Sequence, residues 1–306
     1  PSRSASALDY PNRPVRVLIP FTAGGAPDVL MRLVGQALSE KWGQGVVIEN
    51  RAGGNTMVGT VAAAKSAPDG YTLLLAADQT FVLNPLLYAS LPYSMKELDA
   101  VALIASIPHM LAVANKVPVS NVKELIALAK AKPDTITFGT TGAGTIQRIA
   151  TEYFASIVGV KLVHVPYKGG APAVSDAIAG QIPISTPMMS EQIWEFHKQG
   201  KLKVLAVLSE RRLRAIPDLP TAVEQGYPDL VARLAFGLFA PAKTPKEIIG
   251  KVEQATKVAM QDPELKKNFE AGGFETLDTI NSAAAAAYVA QEVKRWTPIL
   301  AHFKPQ

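Results

Sequence analysis

Apolar and polar positions alternate along the chain in two distinct periods, and the periods take turns. VRVLIPF (15–21) is an apolar run of strand length, and VLMRLVGQALSEKW (29–42) repeats its apolar residues at helical spacing. GVVIENR (45–51) is followed by a helical stretch near MVGTVAAAKSA (57–67), and YTLLLAAD (71–78) by a break at NPLLY (84–88). After VALIASIPHMLAVAN (101–115) the series starts again. NVKELIALAKAK (121–132) is helical behind a cap at Asn121, TITFGTTGAG (135–144) is strand then turn, and TIQRIATEYFASIVG (145–159) is helix. KLVHVPY (161–167), the helix APAVSDAIAG (171–180), IPISTP (182–187) and LKVLAVLS (202–209) complete a second α/β unit. RLAFGLFAPAKTP (233–245) reads as an extended return segment, and three further helices follow, the last opening on the alanines 283–287. Strands joined to helices by short glycine-bearing turns indicate parallel sheets.

Two α/β units in series, with a crossing segment after each, suggest two lobes facing one another across a cleft, where small ligands bind. A chain of 306 residues also exceeds what one core usually organises. The expected division is 8–105 with 232–306 in one lobe and 106–231 in the other, with crossings near 106–114 and 232–240.

The chemistry begins at FTAGGAPD (21–28), between the first strand and the first helix. Glycine there either lets the chain turn or lets a ligand approach the unpaired amides of a helix start. One such turn leaves both readings open, but the second unit repeats it in GTTGAGT (139–145). The second turn is not a Walker loop, because no Gly-Lys-Ser or Gly-Lys-Thr follows. Nor is it a dinucleotide fingerprint, because Gln147 stands where the third glycine belongs. One anion turn in each lobe suits a carboxylate.

Composition removes alternatives. Cysteine is absent, which excludes disulfides, thiolate metal sites and thiol nucleophiles. The four histidines are not spaced as metal ligands and no Gly-x-Ser-x-Gly elbow occurs, so neither metal, cofactor nor enzymatic activity is expected. The net charge of +5 is scattered, which argues against nucleic acid, and no apolar stretch is long enough for membrane insertion. Ala5-Ser6-Ala7 is a small-x-small triplet of the type signal peptidase cuts. A periplasmic protein is therefore expected, with residues 1–7 either native or a cloning remnant.

The pieces YPNRPVRVLIPFTAGGAPD, VVIENRAGG, APDGYTLLLA, NPLLY, FGTTGAGTIQRIATEYF, HVPYKGGAPAVSDAIAGQI and LPTAVEQGYPDL resemble, in this order, the substrate-binding proteins of tripartite tricarboxylate transporters, the Bug receptors. The resemblance implies a type II periplasmic binding-protein (Venus flytrap) fold with a central ligand cleft. It also implies glycine turns that hold a ligand carboxylate through backbone amides and water, a membrane permease as partner, and no catalysis. Pro27 departs from the family pattern before Asp28, Arg148-Ile149 stand where the family has His-Leu, and Pro183 replaces an aspartate.

The expected ligand contacts are Phe21, Thr22, Ala23, Gly24 and Gly25 in the first turn and Thr140, Thr141, Ala143, Gly144 and Thr145 in the second. Asp78, Gln79 and Asn84 lie at another strand C-terminus, where ligands of open α/β sheets sit. Asp28 suits capping at its helix start. Tyr167 forms either an ordinary turn or a cleft wall, and Phe236 either hinge packing or a wall. Arg148, a cation in a first helical turn, opposes the helix dipole. It either pairs with Glu152 one turn on or holds a second carboxylate. The resulting expectation is a monomeric receptor for a dicarboxylate, with terephthalate preferred because Phe21, Tyr167 and Phe236 could wall a ring. The alternative is an aliphatic di- or tricarboxylate receptor serving sensing rather than uptake.

Overall fold

A computed structural model describes residues 9–142, 144–277 and 280–301. Strand β1 (Val15–Ile19) is buried at every position except Arg16, which is half-buried. Helix α1 (Ala26–Trp42) returns the chain and stops at Gly43, whose φ of +61° ends the helix without a Cβ clash. β2 (Val46–Asn50), α2 (Met57–Ala64) and β3 (Thr72–Ala77) follow. β2 and β3 run parallel to β1 on opposite sides of it, with Val17 opposite Ile48 on one side and Leu73 on the other. β3 is buried throughout, as a strand covered on both faces must be. The expected break after it is instead a π-helical turn, Gln79–Leu83, leading into the short α3 (Asn84–Leu87).

The long apolar segment that follows is two strands, β4 (Leu98–Pro108) and β5 (Met110–Ala114), parted at His109. Then come α4 (Val122–Ala131), β6 (Thr137–Thr140), α5 (Ile146–Val158), β7 (Val163–Pro166), α6 (Gly170–Ile178), β8 (Ile184–Ser185), α7 (Glu191–Lys198) and β9 (Leu202–Val207). Asn121 caps α4 as expected, its side chain accepting from the Glu124 amide at 2.9 Å. α7 is not among the expected helices; its signal is Ser190, whose hydroxyl accepts from the Ile193 amide. β6 lies parallel to both β7 and β8, while β5 is antiparallel to β8 and β9. The five strands are ordered β7-β6-β8-β5-β9.

β10 (Arg233–Pro241), α8 (Lys246–Ala259), α9 (Pro263–Ala271), β11 (Glu275–Thr276) and α10 (Ser282–Leu300) complete the chain. The alanine run opens α10 behind Asn281, whose side chain accepts from the Ala284 amide at 2.7 Å. With these strands the other sheet has the order β11-β4-β10-β3-β1-β2, and β10 is antiparallel to β3.

Among the described residues, one compact unit takes those up to Ala105, Ala235–Phe269 and those from Thr276; the other takes Ser106–Leu234 and Glu270–Glu275. The short segment 270–275, which the sequence pattern leaves with the first lobe, therefore packs in the second unit. Gly273 shows why: with φ +77°, it lies so close to Met189 that a Cβ would fall 2.4 Å from the sulfur.

Asp78 fixes the sheet where β3 ends. Its Oδ2 accepts from the Ala235 amide at 2.7 Å and from the Tyr288 hydroxyl at 3.2 Å, joining β3, β10 and α10 at a fully buried point. In the second unit His109 is also buried, with Nδ1 at 3.2 Å from the Ala232 carbonyl. A carbonyl only accepts, so Nδ1 carries the proton. Burial holds the imidazole down to about 4, against a partial counter-effect from that hydrogen bond.

Two outcomes follow. Asp78→Ala removes the acceptor of the buried Ala235 amide and of the half-buried Tyr288 hydroxyl and should cost about 2 to 4 kcal/mol in denaturant unfolding; a loss within about 0.5 kcal/mol would refute the role. His109 is held neutral when folded but protonates near 6.5 when unfolded. Only the unfolded chain therefore binds this proton between the two values, and stability must fall as pH drops from about 6.5 towards 4. The contribution is on the order of 3 kcal/mol. Melting curves of wild type and His109→Gln across this window should differ in slope, and parallel curves would exclude it.

Candidate functional site

Each unit turns from its central parallel strand into a helix, and these turns hold most of the expected contacts. In the first, Thr22, Ala23 and Gly24 are exposed and Phe21 and Gly25 half-buried. Gly24 adopts φ +77° with open space around its Cβ position, so conformation, not crowding, calls for glycine. Asp28, at the buried start of α1, accepts through Oδ2 from the Gly24 amide at 2.9 Å and Arg32 Nε at 3.0 Å. Its Oδ1 accepts from Asn50 Nδ2 at 3.0 Å, and the same amide nitrogen donates to the Phe21 carbonyl at 3.2 Å. Burial pushes the Asp28 carboxyl up, but the bonds from Arg32, Gly24 and Asn50 outweigh it and hold the group below its ordinary value.

Asp28 thus braces the turn, and the Gly24 amide is committed to it. Gly24 thus serves the turn through its conformation and not through a free N–H. Among the described residues no hydrogen bond takes the amides of Thr22, Ala23 or Gly25, and these are the donors the turn presents.

The polar residues after β3 divide. Asn84 is fully buried. It exchanges hydrogen bonds with Asn55, Nδ2 to the Asn55 carbonyl at 2.8 Å and Asn55 Nδ2 to Asn84 Oδ1 at 2.7 Å. Thr80 donates to Thr56 at 2.8 Å, and Tyr93 to the Thr80 carbonyl at 2.6 Å. This network holds the loop after β2, where Gly53, Gly54, Asn55 and Thr56 have φ of 132°, 52°, 52° and 75°. Asn84 and Asp78, expected to face a ligand, are spent inside the unit. Gln79 is 8% exposed and its side chain has no hydrogen bond among the described residues. Phe236 has no exposed surface and meets Phe21 edge-on at 6.4 Å, which is packing rather than a wall.

In the second turn, Gln147 Oε1 accepts from the Thr141 hydroxyl at 2.7 Å and amide at 3.3 Å. The residue that breaks the dinucleotide pattern is therefore the brace of this turn. Thr145, the buried N-cap of α5, turns its hydroxyl back to the Gly142 carbonyl at 2.8 Å instead of capping the helix. Thr140 Oγ1 lies 2.7 Å from His164 Nε2. Burial, then the charge of Arg148, bring His164 down to about 4, so the ring is neutral at neutral pH. Gly144 is buried, and Ala143 lies outside the described residues.

Arg148 Nε donates to Glu152 Oε1 at 2.7 Å, both side chains 26% exposed. The pairing one turn on is thus present. Tyr167 donates from its hydroxyl to Asp176 at 2.8 Å; burial and that carboxylate push the phenol up to about 12. Its ring lies over Gly139, where a Cβ would come within 2.9 Å of it and 2.5 Å of Ile182.

The three amides that the first turn leaves unused can hold an anion without covalent chemistry. Among the described residues no group of three or more His, Cys, Asp or Glu could hold a metal, and no helix is long and apolar enough to cross a membrane.

Comparison with known proteins gives a consistent picture. Residues 30–304 match the model of the tripartite tricarboxylate transporter family receptor. The chain is 34% identical to protein BugT of Bordetella pertussis over 297 residues, 96% of this chain and 90% of that one. A structure from R. palustris with adipate superposes with a TM-score of 0.87 at 30% identity, covering 95% of this chain and 97% of the other. MatC from Rhodopseudomonas palustris with bound malate gives 0.84 at 26% identity, covering 95% and 100%. The chain therefore belongs to the tripartite tricarboxylate transporter receptor family, as a periplasmic transport receptor of the type II periplasmic-binding-protein fold and not an enzyme.

Proposed function

We propose that this receptor binds a small aliphatic dicarboxylate or tricarboxylate, as a monomer, and delivers it to the membrane permease of its transporter. One observation carries the reading: each unit has a glycine turn at the same place, after its central parallel strand and at a helix start. Such a place attracts anions through amides and the helix dipole. Two of them suit a ligand with two carboxylates.

The preference for an aromatic diacid loses its support. Of its three supposed walls, Phe236 is wholly buried, and Tyr167, though half-buried like Phe21, is fastened to Asp176 over Gly139. The acids bound by the two related R. palustris proteins, adipate and malate, are aliphatic. Arg148 is assigned the second carboxylate because it stands in the first turn of α5 and its planar guanidinium matches a carboxylate.

A thermal-shift screen of mono-, di- and tricarboxylates against their amides tests the class, because a ligand of the folded state stabilises by about 2.7 kcal/mol at a hundred times its Kd. Stabilisation by an amide or amine with none by any carboxylate would refute it. Arg148→Ala should weaken a dicarboxylate about thirtyfold, the lower range for truncating a charge pair, and spare the matched monocarboxylate. Equal losses in calorimetry would make Arg148 a surface residue.

A further inference from the structure

We propose that Thr186 donates a hydrogen bond to the bound anion at the start of α5, a contact that rests on the carboxylate reading above. Thr186 directly follows β8 and is 2% exposed, yet its hydroxyl has no hydrogen-bond partner among the described residues. Proteins seldom leave a buried hydroxyl unmet. The three other threonines at this turn, Thr140, Thr141 and Thr145, each use their hydroxyls within the unit.

The strand shows where the side chain points. Ile184 lines a small apolar cavity together with Thr151 and Phe154 of α5, so Ile184 faces that helix. Residues two apart on a strand share a face, which puts Thr186 on the same side, roughly 6.6 Å nearer the strand's C-terminal end. α5 begins at that end, because it follows β6 and β6 is parallel to β8, with Phe138 opposite Ile184 and Gly139 opposite Ser185. From Thr151 back to Ile146 the helix covers about 7.5 Å. The hydroxyl therefore lies against the first turn of α5.

That helix has 13 residues and no side-chain cap, since Thr145 turns away. Its leading amides favour a negative group. A hydroxyl beside them completes a donor set for one carboxylate oxygen, and threonine in place of valine is explained by the ligand, not by the free protein.

The test uses the full chain with Thr186→Val and Thr186→Ser, melted without ligand and titrated calorimetrically with adipate, malate and terephthalate. Thr186→Val should melt about 2 °C higher when ligand-free, because an unmet hydroxyl is removed, and bind at least about tenfold more weakly. Thr186→Ser should stay within about threefold of wild type. Undiminished binding by Thr186→Val, or a lower melting point without ligand, overturns the assignment alone. Failure of the wild type to take up any of the three acids overturns the carboxylate reading and this contact with it.

Discussion

Each unit is organised by one buried parallel strand, β1 or β6, whose two neighbours are reached by crossovers in opposite senses. Because the crossovers diverge, neither covers the strand's C-terminal end. The chain must turn there into a helix whose first amides have no partner in the helix. The exposed donors are thus a product of topology, and glycine is needed chiefly where backbone conformation demands it, as at Gly24 and Gly142.

The two turns solve the same structural problem with different side chains. Asp28 holds the first with a carboxylate, and Gln147 holds the second with a neutral amide. The carboxylate would repel an anionic ligand were it not matched by Arg32 at 3.0 Å and lodged under the turn. In the second unit the Arg148–Glu152 pair likewise sums to no net charge. On the proposed reading, attraction comes from oriented amides more than from formal charge, and it acts over about one helical turn.

How far this could be read from the chain depends on the range of each interaction. Local signals are sufficient for α1, α4, α5 and α10, because apolar periodicity, a capping asparagine or a terminal glycine lies within a few residues; for Arg148 the i,i+4 spacing to Glu152 leaves two readings open. The roles of Asn84 and Asp78 were not legible. A polar residue at a strand C-terminus can face a ligand or close a buried network, and only distant partners decide: Asn55 is 29 residues from Asn84, and Ala235 is 157 from Asp78. Phe236 is hidden for the same reason, since the strand that buries it, β3, is remote in sequence. The role of the loop after β2 is not legible either, although Gly-Gly-Asn is strong turn chemistry, because its link to Asn84 is again long-range.

The proposed recognition through backbone amides has a consequence for selectivity. An amide reads the oxygen in front of it and is blind to the carbon chain behind. Discrimination between acids must then come from side chains near the turns that the fold has not already used. Asp28, Gln147, Thr140, Thr141, Thr145 and Asn84 are all engaged within their own units. Among the described residues the side chains of Gln79, in the turn after β3, and Thr186, directly after β8, are buried without hydrogen bonds, one in each unit. On the proposed carboxylate reading, these two side chains are the polar groups that the fold itself leaves unused, and selectivity is sought there before it is sought in the glycine turns.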